Sequence, residues 1–92
     1  MNAPKMHERV YFSGHVQGVG FRYQTRRIAC EFEVAGYVRN LPDGRVEMEA
    51  VGEAGEVNAF IAAVGDRLSM YIRRTERQAM EVAGNFNGFV IR

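Results

Sequence analysis

The most informative stretch of the chain reads Arg9-Val10-Tyr11-Phe12-Ser13-Gly14-His15-Val16-Gln17-Gly18-Val19-Gly20-Phe21-Arg22. Residues 9–13 alternate, with Val10 and Phe12 on one side, which predicts a strand because successive strand side chains point to opposite faces. Glycine recurs through residues 14–20. From Phe21 onward, mainly apolar side chains recur at the spacing of one helix face. This spacing predicts a helix over residues 21–33. A strand therefore leads through a glycine-rich loop directly into a helix.

The rest of the chain continues this succession of strand and helix patterns. Alternating segments predict strands over residues 37–40, 45–51, 75–82 and 86–91. Residues 56–68 predict a second helix, which buries Val57, Phe60, Ile61, Val64 and Leu68. Leu41-Pro42-Asp43-Gly44 favours a hairpin turn between the second and third strands. The predicted fold is an α+β, ferredoxin-like sandwich (βαββαβ), with four to five mainly antiparallel strands and two helices on one face.

Size and composition favour one globular domain. With 47% hydrophobic and 25% charged residues, the chain can form one ordinary core. Its 92 residues are too few for two domains. We expect a flexible tail over residues 1–6 and a domain over residues 7–92. The net charge of +1 argues against nucleic acid as a partner, because nucleic-acid binders carry clustered positive charge. No apolar run is long enough to cross a bilayer, so a membrane is not an expected partner either.

Cysteine usage bears on location and metal binding. Cys30 is the only cysteine, which excludes an intrachain disulfide and a cysteine-rich zinc site. Together with the lack of a signal segment, it indicates a cytoplasmic location. Nothing in the sequence requires more than one copy, so a monomer is expected.

The glycine-rich loop is a candidate anion site. Glycines let successive N–H groups turn toward one centre, and a following helix adds its free N–H groups and the positive end of its dipole. Arg22, in the first helical turn, can add a planar set of donors that matches phosphate oxygens. The spacing alone leaves a plain alternative open, in which the glycines only make a turn and the arginine meets solvent.

Asn40, at the end of the second predicted strand, is a candidate for holding a water molecule. Its amide both accepts and donates hydrogen bonds. The Asn40 side chain can reach the glycine-rich loop if the first two strands both border that loop. The alternative is a turn residue before Pro42-Asp43-Gly44.

Two motifs carry a resemblance to a known family. Residues 14–22 resemble its first signature, and Gly36-Tyr37-Val38-Arg39-Asn40, followed by Gly44-Arg45-Val46 and Gly52, resembles its second. The family is that of the acylphosphatases, and the resemblance runs from about His7 to the C-terminus. It implies a ferredoxin-like fold and hydrolysis of small-molecule acyl phosphates to a carboxylate and inorganic phosphate. Phosphate would be both the product and a competitive ligand.

The resemblance also implies roles for individual residues. The phosphate-binding loop comprises His15, Val16, Gln17, Gly18, Val19, Gly20, Phe21 and Arg22. Arg22 would bind the phosphate and Asn40 would hold the attacking water, so these two are the expected catalytic residues. The chain departs from the family pattern at Phe12, where a branched aliphatic is commoner, and at residues 69–74, which lack the usual Gly-Pro or Ser-Pro.

The chemistry of an acyl phosphate explains why so few residues are expected. Its carboxylate leaving group has a conjugate acid with a pKa of about 4 and departs without a general acid. The transition state spreads charge over the phosphoryl oxygens, so preorganised donors and an in-line water suffice. We therefore expect no metal and no cofactor.

Several other polar or sulfur-containing residues are predicted to have no catalytic role. His7 and His15 are expected to be exposed, Cys30 to be a small buried hydrophobe, and Glu47 and Glu49 to lie on a solvated strand face. Three methionines are predicted to fill the core, namely Met48, Met70 and Met80. Four arginines are predicted to form a solvated patch, namely Arg67, Arg73, Arg74 and Arg77.

Two other functions remain open from the sequence. The first is a non-catalytic module that binds acyl or carbamoyl phosphate, which would keep the loop but not the turnover. The second is an RNA-binding domain of the same fold class, which needs stacking aromatics and a basic sheet face. Tyr11 and Tyr37 are the candidate stacking aromatics, and the balanced charge argues against this function.

Overall fold

Five strands and two helices make up the protein in the computed structural model, which describes residues 4–82 and 86–92. In chain order they are β1 (Lys5–Gly14), α1 (Phe21–Ala29), β2 (Val34–Asn40), β3 (Val46–Glu53), α2 (Ala54–Arg67), β4 (Ile72–Met80) and β5 (Phe89–Ile91). The strands form one sheet in the order β4-β1-β3-β2-β5. Neither helix in the described residues is long and apolar enough to span a membrane.

The pairing of the strands determines which ends of the sheet meet. β3 lies between β1 and β2 and is antiparallel to both, so β1 and β2 run in the same direction. β4 is antiparallel to β1, and β5 is parallel to β2. The C-terminal ends of β1 and β2 therefore lie at the same end of the sheet. This mainly antiparallel sheet with two crossover helices confirms the predicted ferredoxin-like fold.

Both helices pack their apolar residues into one core. All five positions predicted for the second helix are buried: Val57, Phe60, Ile61, Val64 and Leu68. α1 buries Phe21, Thr25, Ile28 and Ala29. From the sheet, Val10, Phe12, Val38, Val46 and Met48 join the core with no exposed surface. Each large apolar side chain buried here contributes about 1.5–3 kcal/mol, which makes this core the main source of stability.

The opposite side of the sheet carries a buried polar network. Glu47 and Glu49 are only 5% and 6% exposed, so the prediction of a solvated face for them is wrong. The Tyr37 hydroxyl lies 2.6 Å from Glu47 Oε1 and 2.8 Å from Glu49 Oε2. His7, predicted to be exposed, is also buried, and its Nε2 lies 2.7 Å from Glu49 Oε1. We call His7, Tyr37, Glu47 and Glu49 the sheet-face network.

Residues from the end of the chain explain why this network is buried. The Arg92 guanidinium lies 4.3 Å from the centroid of the Tyr37 ring. The Phe86 ring lies 5.8 Å from the His7 ring and 6.0 Å from the Tyr37 ring, centroid to centroid. The C-terminal segment therefore covers a face that the strand pattern alone assigns to solvent.

Some predicted boundaries need correction. Lys5 and Met6, expected in a flexible tail over residues 1–6, belong to β1 and pair with Glu53 and Gly52, whereas residues 1–3 of that tail lie outside the described residues. α1 ends at Ala29 rather than at residue 33. Before β4, hydrogen bonds from Tyr71 N to Leu68 O and from Ile72 N to Ser69 O form a turn. This turn is the segment in which the sequence departs from the family pattern.

Several single residues also differ from expectation. Cys30 is exposed, because one residue beyond buried Ala29 the helix has turned about 100° away from the core. Met48 is buried as predicted, whereas Met70 is 72% exposed on the turn and Met80 is half-buried. The four arginines of the expected patch are each exposed, and three of them pair with glutamates.

Candidate active site

Two glycines set the path of the loop between β1 and α1. Gly18 and Gly20 have φ angles of +78° and +79°. This left-handed conformation costs a residue with a side chain roughly 1–2 kcal/mol, so glycine is favoured here. Gly20 is also the N-cap of α1, which means that the helix begins where the loop ends. At the other end, the His15 N–H donates to the Tyr71 carbonyl at 2.9 Å and fastens the loop to the turn before β4.

The backbone of this loop has unused hydrogen-bond donors. Among the described residues, the N–H groups of residues 16–22 donate to no other backbone carbonyl. α1 has no side-chain cap and no acidic residue in its first turn. Its dipole therefore places roughly half a positive elementary charge at the end of the loop. The loop can accept an anion without first breaking hydrogen bonds of its own.

Arg22 lies half-buried in the first turn of α1. Within residues 4–82 and 86–92 it forms no ion pair, whereas Arg9 and Arg39 pair with Glu49 and Glu47 at 2.9 and 2.8 Å. Its guanidinium offers five donors in a planar arrangement. Arg22 is therefore available to an anion held by the loop.

Asn40 is the last residue of β2 and lies at the end of the sheet where the loop starts. Phe12 pairs with Val46, and Val46 pairs with Asn40, so these three residues form one row across β1, β3 and β2. Asn40 Oδ1 is buried without a hydrogen-bond partner among the described residues, where Thr25 Oγ1 is the only other such side-chain atom. A buried acceptor left unpaired costs about 1–3 kcal/mol, so a water or ligand is expected beside it.

The side chain of Gln17 connects the loop to the β2–β3 hairpin. Its Nε2 donates to the Leu41 carbonyl at 2.8 Å and to the Arg45 carbonyl at 3.0 Å. Leu41 directly follows Asn40, so these hydrogen bonds join the loop to the segment that carries the asparagine. The sequence places Gln17 in the loop but gives no sign of this contact.

The other predicted loop residues divide by burial. His15 is exposed, as predicted. Val16 and Phe21 are buried in the core at 1% and 2% exposure, and Val19 packs against it. These apolar side chains fix the backbone on either side of the glycines. The described residues contain no group of three or more His, Cys, Asp or Glu that could hold a metal ion.

Comparison with known proteins shows the family of the chain. A family model described as Acylphosphatase matches residues 8–91. An acylphosphatase of Methanospirillum hungatei is 42% identical over 82 residues, which are 87% of this chain and 89% of that relative. One of Archaeoglobus fulgidus is 60% identical over 55 residues, which are 60% of this chain and 62% of that relative. The second alignment therefore spans less than two thirds of its relative.

A solved structure agrees with the sequence relatives. The crystal structure of an acylphosphatase from Bacillus subtilis matches with a TM-score of 0.85 and 29% identity, covering 95% of this chain and 98% of that one. The shared fold is thus complete rather than local. Because the family model spans nearly the whole sequence and a relative above 40% identity aligns over most of both chains, this chain belongs to the acylphosphatase family.

Proposed function

We propose that the protein hydrolyses acyl phosphates to a carboxylate and inorganic phosphate. Family membership supports the reaction class. The observation that carries the proposal is the coincidence of unused donors and an unused acceptor at one edge of the sheet. The loop N–H groups and Arg22 have no partners among the described residues, and neither has Asn40 Oδ1.

The phosphoryl group would bind at the loop. Residues 16–22 supply backbone N–H donors, and the N-terminus of α1 adds its dipole. Arg22 supplies a charged donor set that can hold two phosphoryl oxygens at once. These donors are fixed before the substrate arrives, so they stabilise developing charge with little reorganisation.

The attacking water would bind to Asn40. Its buried Oδ1 can accept a hydrogen bond from the water, which leaves an oxygen lone pair free to attack phosphorus. The amide is not basic enough to remove a proton before attack. In a loose transition state the water needs positioning more than deprotonation, so an amide is sufficient, and the proton that the water loses ends on an oxygen of the phosphate product.

The acyl group needs no acid from the protein. A carboxylate with a conjugate-acid pKa of about 4 leaves without protonation. The proposal therefore assigns no role to a metal, a histidine or a thiol. The substrate would be recognised at its phosphoryl end, and inorganic phosphate would compete for the same donors.

Phosphate release from benzoyl phosphate or acetyl phosphate, in excess EDTA, tests this proposal. We expect saturable release that is inhibited competitively by phosphate. Tight phosphate binding without release would instead support a non-catalytic binding module for acyl or carbamoyl phosphate. Release that depends on added metal would contradict the mechanism.

We further propose that the protein works in the cytoplasm as a monomer. The single thiol, Cys30, is exposed and would stay reduced there. The loop, Arg22 and Asn40 all come from one chain, so the site does not need a second copy. Sedimentation equilibrium with and without phosphate should give the mass of one chain, and a dimer at micromolar concentration would contradict this.

A further inference from the structure

The side-chain amide of Gln17 donates both of its N–H hydrogens to backbone carbonyls at the base of the β2–β3 hairpin. One N–H bond points to the Leu41 carbonyl and the other to the Arg45 carbonyl, at 2.8 and 3.0 Å. Both carbonyls also accept backbone hydrogen bonds that close the turn, from Gly44 N at 3.1 Å and from Leu41 N at 2.8 Å. A carbonyl oxygen has two lone pairs, so the four bonds use the acceptor capacity at this point fully.

On the side of the turn, these contacts lie one residue pair beyond Asn40. Leu41 is its neighbour in the chain, and Arg45 precedes Val46, with which Asn40 pairs across the sheet. We propose that Gln17 is a positioning residue, which holds Asn40 and its water at a fixed distance from the phosphate bound by the loop. This inference rests on the proposed function, because it assigns Asn40 the attacking water.

The chemistry of the side chain explains why an amide suits this role. Glutamate at position 17 would turn a carboxylate toward two carbonyl oxygens. An apolar side chain would leave each of these carbonyl oxygens with one donor instead of two. Gln17 also belongs to the loop itself, so a movement of the loop is transmitted directly to the hairpin. An error of about 1 Å in the position of a nucleophile can cost on the order of 10²-fold in rate.

Kinetics of Gln17→Met test the proposal, with Gln78→Met as the matched control. Gln78 is exposed on β4, away from the loop. We expect Gln17→Met to lower kcat about 10- to 100-fold while the inhibition constant of phosphate stays within about twofold. An unchanged kcat would overturn the inference. So would a weaker phosphate affinity that accounts for the whole loss, because Gln17 would then only support the loop.

A double variant separates positioning of Asn40 from other effects. If Gln17 acts through Asn40, adding Gln17→Met to Asn40→Ala should cost little further kcat. Losses that multiply would contradict the inference. Gln17→Lys provides the rescue, because an ammonium can donate to both carbonyls and should recover most of the lost kcat. If Gln17→Met does not fold, Gln17→Lys at wild-type kcat and Gln17→Leu at reduced kcat make the same distinction.

A readout without turnover keeps the two proposals distinct. The side-chain Nδ2 resonances of Asn40 in a ¹⁵N spectrum should shift in Gln17→Met and not in Gln78→Met. If the wild-type protein does not hydrolyse acyl phosphates, the proposed function fails, and this shift still reports whether Gln17 positions Asn40. If turnover is normal and the resonances do not move, the inference about Gln17 fails alone.

Discussion

The sheet-face network and the glycine loop are both polar, and they differ in how much of their hydrogen-bonding capacity is used. In the network, the Tyr37 hydroxyl shares its one proton between Glu47 and Glu49, and each glutamate also pairs with an arginine. In the glycine-rich loop, the N–H groups of residues 16–22 have no partner among the described residues, and neither has Asn40 Oδ1 at the end of β2.

This difference separates a structural polar cluster from a site prepared for a ligand. Buried polar groups in proteins are nearly always hydrogen-bonded, so a complete network needs nothing from outside. An incomplete one needs water or a ligand. Substitutions in the loop region should therefore affect activity more than stability, and substitutions in the network should do the reverse.

The largest effect is expected from Arg22→Gln. It removes the charged donor set from the site without breaking an ion pair within the described residues, so turnover and phosphate binding should fall together, by 10³-fold or more in kcat/KM as an order of magnitude. Steady-state kinetics and phosphate inhibition measure both. Arg26→Gln, at an exposed position on the same helix, is the control and should leave both unchanged. Near wild-type turnover by Arg22→Gln would remove this residue from the mechanism.

Asn40→Ala should separate chemistry from binding. The loop and Arg22 remain, so the inhibition constant of phosphate should stay nearly unchanged, while kcat falls on the order of 10²–10³-fold because the water loses its position. Asn58→Ala, on exposed α2 surface, provides the matched comparison. If phosphate affinity falls as far as kcat, Asn40 binds phosphate rather than water.

Tyr37→Phe should show the opposite behaviour. It removes the one hydroxyl that both buried carboxylates contact, and we expect the free energy of unfolding to fall by about 1–3 kcal/mol with little change in kcat. Urea unfolding and the phosphate-release assay measure the two effects. Tyr23→Phe, whose ring is on the surface, should leave stability unchanged. A large loss of kcat in folded Tyr37→Phe would mean that the network takes part in the site.

A smaller effect is expected from acidification. Burial would raise the pKa of Glu47 and Glu49, but hydrogen bonds from Tyr37, Arg39, His7 and Arg9 outweigh it and hold each pKa below the ordinary value of 4.5. The carboxylates therefore contribute stability that is fully present above pH 4.5 and is lost as the pH falls through the lowered pKa values. The midpoint urea concentration of unfolding, measured between pH 3 and 6, should fall only at the acid end of this range. The fall should be smaller in Glu49→Gln, which has one titrating carboxylate fewer. A midpoint that rises on acidification would contradict this.

Local patterns predict the parts of the fold that bury one regular face. The second helix shows this, since all five of its predicted core positions are buried. β4 is harder to predict because it lies at an edge of the sheet and only its two end residues are partly buried. Without a buried face, its side chains have little reason to alternate in polarity.

Contacts between distant parts of the chain are what the sequence does not reveal. Alternation correctly places Glu47 and Glu49 on one strand face, but their cover comes from Phe86 and Arg92, far along the chain. Likewise, the motifs indicate Arg22 and Asn40, whereas Gln17 bonds to backbone carbonyls 24 and 28 residues away. Backbone carbonyls occur at every residue, so no side-chain pattern can identify them as partners.

Titration of ¹⁵N-labelled protein with inorganic phosphate tests the central claim most directly, because it asks where the unused donors are. The backbone amide resonances of residues 16–22 should shift together with one saturation constant, equal to the inhibition constant of phosphate. The resonances of Glu47 and Glu49 should stay in place. Saturable shifts centred on the arginines between residues 67 and 77, or no saturable shift at the loop, would contradict the assignment of the loop as the phosphate site.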